Sequence, residues 1–393
     1  MSTEIFGIED VNVWVDALIR VLLVVGFMTV VVMGLIWIER KVLARFQQRL
    51  GPTRTGPIGL LQSVADALKL VGKEDLRPRN ADPWTFELAP YLVFIPVFLG
   101  FVIVPFVLDW QIRILELGLL YFVAVSGVNI VGWIMAGWGS DNRYAMIGGM
   151  RAAAQGISYE LPLVLSLLAV AMVVEVPGTD ASAEAARGSL NLNEIVASQH
   201  EVPNIVWQPL VTVVFFIAAL AELNRTPFDI PVGESEVVGG PFVEYSGIRW
   251  SMFFLAEYAA LLIMALVFAA VFLGGWAWPF GIWMDDAPPR WAQALVVAGK
   301  ASLFIFLVIW VRASVPRLRI DQLMGFSWKI LLPLMLVQVL VNGLVLVYDW
   351  PEIILTVVGL FGIVALFAMV ERAVRHPRPR PMTAAQLQGE AAS

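Results

Sequence analysis

The chain has 393 residues, of which 59% are hydrophobic and 15% charged, with a formal charge of −6, and its mean hydropathy is +0.78. Soluble chains run nearer half apolar and a quarter charged, so a length that suggests two or three soluble domains is read instead as one polytopic membrane domain. There is no cysteine, which excludes thiolate-ligated iron–sulfur clusters, C-x-x-C redox pairs and disulfides from this chain. GxGxxG and Walker A motifs are also missing, and the two histidines, His200 and His376, fall in expected loops, so no metal site is expected.

Nine apolar runs read as transmembrane helices, at about 14–38, 88–108, 115–138, 152–175, 206–222, 250–273, 292–312, 328–347 and 352–370. The first has an acidic flank (Glu4, Glu9, Asp10) and no basic leader, so it is read as a span and not as a cleaved signal. After it comes a basic patch, WIERKVLARFQQRLGPTRTG, with Glu39 at its mouth. The segment GPIGLLQSVADALKLVGKED is too short and too polar to span. Leu61, Val64, Leu68 and Val71 share one face, and Gln62, Asp66, Lys69 and Lys73 another, which predicts an interfacial amphipathic helix over 57–73 with Pro57 in its first turn. Further on, Glu160, Glu222, Glu257 and Lys300 lie within apolar runs. A charge near the bilayer centre costs at least ~2.5–3.5 kcal/mol, so such groups face a wet cavity or a partner. Residues 176–205 and 274–291 carry no usable signal. The last 21 residues, 373–393, read as a basic disordered tail beyond a membrane domain spanning 1–372.

Lys and Arg sort the loops. The segments after spans one, three, five, seven and nine hold about 20 of the 26, which places the N-terminus outside and the C-terminus in the cytoplasm. One of these loops, 223–249, is acidic. With Glu222 before it, it brings Asp229, Glu234, Glu236 and Glu244 together, and the one base within 221–247 is Arg225. Folded between helices, two carboxylates about 5 Å apart repel by roughly 3 kcal/mol at an effective dielectric near 20, so the acids are expected to titrate as a coupled set. A solvated acidic loop is the plainer alternative. The rigid TPFDIP stretch around Phe228, and Glu244 set between aromatics in FVEY, weigh against it.

Four segments in order, ERKVLARFQQRLGPTRTGPIGLLQSVADALKLVGKED, SYELP, AELNRTPFDIP-GESE-EYSG-FFLAEY and VRASVPRLRIDQLM, closely resemble the H subunit of NADH–quinone oxidoreductase, respiratory complex I. The resemblance implies an all-α subunit of an inner (plasma) membrane enzyme that takes quinone, ubiquinone or menaquinone, as substrate. Flavin and iron–sulfur clusters would sit in partner subunits. Those partners would be the peripheral-arm quinone-site and terminal iron–sulfur subunits, small membrane subunits and antiporter-like pumping subunits, together with lipid and no nucleic acid. Carried over by residue, Glu160, Glu222, Asp229, Glu234, Glu236, Glu257 and the neighbouring Glu244 would form a proton-coupling route, with Lys300 joined to it. Glu39, Arg40, Arg45, Gln62, Asp66, Phe228, Arg312 and Arg317 would line or guard the quinone tunnel. Arg49, Arg54, Arg225, Arg319 and Asp321 would support docking and structure. The family usually places an acid where this chain has Val232, which removes one carboxylate from the route. Two other readings stay open: a membrane subunit of a related energy-converting hydrogenase, and a stand-alone ion transporter.

Overall fold

The computed structural model describes residues 13–107, 112–176, 186–200, 202–278 and 289–375. The acidic N-terminal flank and residues 376–393 of the expected tail, His376 included, lie outside the described residues, as do the side chains of Glu234 and Ser235. The protein is an all-α integral membrane protein. Its helices are α1 (Val13–Phe46), α2 (Gln62–Val71), α3 (Pro83–Gly100), α4 (Gly118–Gly139), α5 (Arg143–Val173), α6 (Leu192–Ser198), α7 (Asn204–Trp207), α8 (Pro209–Glu222), α9 (Glu234–Val237), α10 (Gly247–Phe272), α11 (Arg290–Ser314), α12 (Ile320–Phe326), α13 (Leu332–Val347) and α14 (Ile353–Arg375). A π-helical turn, Ser327–Leu331, joins α12 to α13. A two-residue antiparallel pair, Glu175–Val176 with Ala186–Arg187, is the one strand pairing among the described residues.

Among the described residues, eight helices are long and apolar enough to cross a membrane, counting α12 through α13 as one. The expected fifth span is the exception. The helix α8 has 14 residues, about 21 Å at 1.5 Å per residue, against ~30 Å of hydrocarbon. Pro209 starts it at the first helical position, where its missing N–H costs nothing. It ends at Glu222, and two residues later Asn224 takes a left-handed conformation (φ 49) that turns the chain.

Helix α10 is buried along most of its length and packs on α3, α8 and α11, while α5 packs on α4, α8 and α13. Small residues bring the helices together. A Cβ on Gly132 of α4 would come within 2.6 Å of Val93 on α3, and one on Gly137 within 3.0 Å of Gly149 on α5. The acidic loop seats the same way. A Cβ on Gly148 would lie 2.5 Å from the Gly240 Cα.

The amphipathic helix is shorter than its sequence suggests. Pro57–Gly59 form a separate 3₁₀ turn, because Ile58 and Gly59 both have positive φ (58 and 78), and α2 begins only at Gln62. It packs on α1, where Ser63 Oγ donates to the Met33 carbonyl at 3.0 Å. Leu61, Val64, Leu68 and Val71 point outward as expected. At the other end of the chain, α14 runs to Arg375, so its helix takes the first three residues of the expected tail.

Candidate functional site

The polar centre of the molecule is Arg225, the first charged residue after α8. Its side chain is 4% exposed. Nη1 donates to Glu39 Oε1 on α1 at 3.0 Å, Nε lies 3.3 Å from Glu257 Oε1 on α10, and the guanidinium sits 4.5 Å above the Tyr258 ring. Arg312, from the last turn of α11, also donates to Glu39. Beside them Arg317 Nη2 donates to Asp229 Oδ2 at 2.7 Å. Three acids thus face three arginines, so the cluster is neutral overall. Burial holds the Asp229 carboxyl above the usual aspartate range, against the downward pull of Arg317, Arg312 and Arg225.

These groups open on one cavity of about 910 Å³. Arg225, Asp229, Glu257, Arg312 and Arg317 supply its polar wall, and Trp133, Phe242, Phe253 and Phe254 its apolar one. The phenol of Tyr245 also lines it. Its hydroxyl donates to the Phe86 carbonyl at 3.1 Å, and burial raises its pKa against Arg249 and a bond with Ser140. Val232, in the place of an acid, is part of the wall. An apolar cavity with a few convergent polar groups is the common form of a small-molecule site.

A second, smaller cavity of about 40 Å³ lies deeper, against Glu222, Asn129 and Ser126, with room for water. Glu222 is near enough to Glu160 for the two charges to interact. The Glu160 carboxylate fits against α4 because residue 127 is glycine. A Cβ there would meet Glu160 Oε1 at 2.9 Å. No ion pair to Glu160 or Glu222 is formed among the described residues.

The expectation of one mutually repelling acid set is corrected by these contacts. Three of the loop acids are separated, each with its own partner. Arg151 donates to Glu236 at 2.5 Å, Asn142 Nδ2 donates to Glu244 at 2.6 Å, and Asp229 belongs to the arginine cluster. The backbone of Glu234 opens α9 directly after Gly233, where a Cβ would lie 2.5 Å from Arg317 Nη1. The expected tunnel-entrance residues divide as well. Arg40 pairs with Asp66 at 2.6 Å, and Gln62 donates to Asp66 at 3.3 Å, in a group of their own beside α2. Glu39 leaves that group for the buried cluster. Phe228 is 3% exposed and packs on Tyr159, with ring centroids 5.3 Å apart.

Lys300 stands apart from the acids. Its ammonium donates to the carbonyls of Gly275 (2.9 Å) and Ala277 (2.6 Å), just past the end of α10. Arg45, Arg49 and Arg54 are on or near the surface, and Arg49 donates to Gln47 at 2.7 Å. Arg319 and Asp321 start α12, where the Arg319 N–H donates to the Gln322 side chain at 3.2 Å. Sequence reasoning missed Gln155, Asn129, Asn142, Arg151 and Tyr258. Gln155 was open to detection, as a lone amide within AAAQG on a membrane helix.

Comparison with known proteins gives one family. A family profile described as NADH dehydrogenase matches residues 19–343. The H subunit of NADH-quinone oxidoreductase from Brevibacillus brevis is 46% identical over 335 residues, which cover 85% of this chain and 93% of that protein. The H subunit from Dehalococcoides mccartyi is 43% identical over 360 residues, covering 90% and 95%. That from Bacillus cytotoxicus is 46% identical over 330 residues, covering 84% and 92%.

Proposed function

The chain belongs to the family of NADH-quinone oxidoreductase H subunits, and from that premise we propose that it forms the quinone-access tunnel and passes the energy of quinone reduction to proton-translocating partners. The observation that carries this reading is the cavity of about 910 Å³, walled on one side by ion-paired arginines and acids and on the other by aromatics. The aromatic wall suits a quinone ring and its tail. The arginines face a transient negative charge on the reduced head.

Quinone reduction takes two electrons, delivered from iron–sulfur clusters in a partner subunit, and two protons. A negative charge appearing in the cavity draws on Arg317 and Arg312. As Arg317 turns toward it, Asp229 keeps its burial and loses its cation, so it takes up a proton. The strain passes back along the loop to Glu222 and Glu160, two carboxylates on the packed helices α8 and α5. Glu257 and Glu39, tied to Arg225, complete the charge balance on the cavity side. The outward apolar face of α2, with Arg40, Gln62 and Asp66 behind it, is the side by which an isoprenoid tail leaves the bilayer. In this arrangement residues 1–372 act as one polytopic domain of the inner membrane, N-terminus outside, and Arg45, Arg49 and Arg54 meet the peripheral arm.

Replacement of Glu222 by Gln and of Asp229 by Asn in the assembled complex tests the reading. Quinone-driven proton pumping into vesicles is expected to fall at least severalfold in each. NADH oxidation by a soluble artificial acceptor, which uses the partner subunits alone, should stay unchanged. Pumping at the unaltered rate in both variants would sink the proposal.

A further inference from the structure

The acidic loop rests on α5 through three side chains at four-residue intervals. Arg151 donates to Glu236 at 2.5 Å. Gln155 Nε2 faces three acceptors: the Ala221 carbonyl at 2.7 Å, the Phe228 carbonyl at 2.8 Å and Asn224 Oδ1 at 3.0 Å. Tyr159 packs its ring on Phe228 and donates its hydroxyl to the Leu323 carbonyl at 3.0 Å. Residues four apart lie on one helix face, so 151, 155 and 159 form a ladder. Glu160 follows its last rung.

Gln155 is the middle rung and is 2% exposed. Its three acceptors are not equivalent places in the chain. Ala221 precedes Glu222, Phe228 precedes Asp229, and Asn224 is the left-handed turn between them. An amide nitrogen has two hydrogens, so three acceptors within 3.0 Å occupy both, one of them shared. The amide oxygen is buried and has no donor among the described residues. Attachment is therefore by donation alone. Turning the amide over would set oxygen against three oxygens.

We propose that Gln155 is a positioning residue for proton coupling: its amide nitrogen fixes Glu222 relative to Asp229 and carries movement of the acidic loop into α5, beside Glu160. This rests on the proton-coupling reading given above and names a residue that reading does not contain. A purely structural glutamine would matter to assembly and not to the pH dependence of turnover.

The test is Gln155→Glu in the whole complex, with Gln155→Leu beside it. Glutamate is nearly isosteric. Ionised, it offers three acceptors no hydrogen; protonated, it recovers one donor. Quinone reductase activity and pumping in Gln155→Glu are expected to fall on the order of tenfold at alkaline pH and to recover as the pH is lowered, on a limb the unaltered complex lacks. Gln155→Leu should be reduced on the order of tenfold at every pH, in kcat with KM for quinone held. Artificial-acceptor activity should be unchanged in both. A Gln155→Glu complex with the unaltered pH profile overturns the proposal. So does loss of assembled complex in both variants, which assigns Gln155 to folding. If Glu222→Gln and Asp229→Asn lower pumping and Gln155→Glu shows no acid recovery, the positioning role alone fails. If those two leave pumping intact, the underlying reading fails first.

Discussion

Arg225 serves two carboxylates at once, the buried Glu39 at 3.0 Å and the partly exposed Glu257 at 3.3 Å. Removing one partner of such a group leaves uncompensated charge, at a cost of about 3–5 kcal/mol. Arg225→Ala is therefore expected to lower the thermal midpoint of the purified complex steeply and to reduce its yield. Arg225→Lys keeps the charge but loses the planar fork that reaches both acids and stacks on Tyr258, so it should fall between. A variant as stable as the original would contradict the burial of this cluster. In the sequence Arg225 stood out as the lone base among loop acids. Glu39 stood out too, at the mouth of the first span, but nothing in the sequence joined the two across 186 residues.

At the scale of elements, apolar runs were legible and their ends were not. A run of 20 apolar residues is a local property. Where a helix stops depends on turns such as Asn224 and Ile58, whose positive φ nothing in their residue type requires. The acidic loop shows the same limit. It contains no helix longer than the four residues of α9, and glycine contacts fix its seat on α5. Gly148→Ala would press a methyl group on the Gly240 Cα (2.5 Å) and the Pro241 ring (2.8 Å). Backbone and ring cannot swing aside, so a destabilisation of about 1–3 kcal/mol is expected. It should appear as a lower thermal midpoint and as faster proteolysis between residues 232 and 247. Gly127→Ala offers a contrast, since its clash is with the flexible end of Glu160.

For the whole molecule, the distribution of Lys and Arg predicts an orientation with the N-terminus outside, and the lack of native cysteine makes that prediction easy to test. Ile114 (60% exposed) and Tyr348 (63% exposed) lie in loops that nine crossings, with the short α8 counted as one, place outside. Ile114→Cys and Tyr348→Cys are expected to react with a membrane-impermeant thiol reagent in right-side-out vesicles and not in inverted ones. The reverse pattern would invert the topology and move the cavity to the other side.

The sequence by itself determined the membrane class, the approximate place of the spans, the family resemblance and the inventory of acids and bases. Each of these depends on residue type and on spacing within a few turns. Only the tertiary structure decided which charge meets which. Arg312 meets Glu39 across 273 residues and Arg317 meets Asp229 across 88. It also divided an apparently single acid cluster into a neutral arginine-bound group, a pair beside a small cavity and two separately held loop acids. Such pairing follows from helices packed on one another through glycines, where a fraction of an ångström sets the approach, and no local pattern along the chain records that distance.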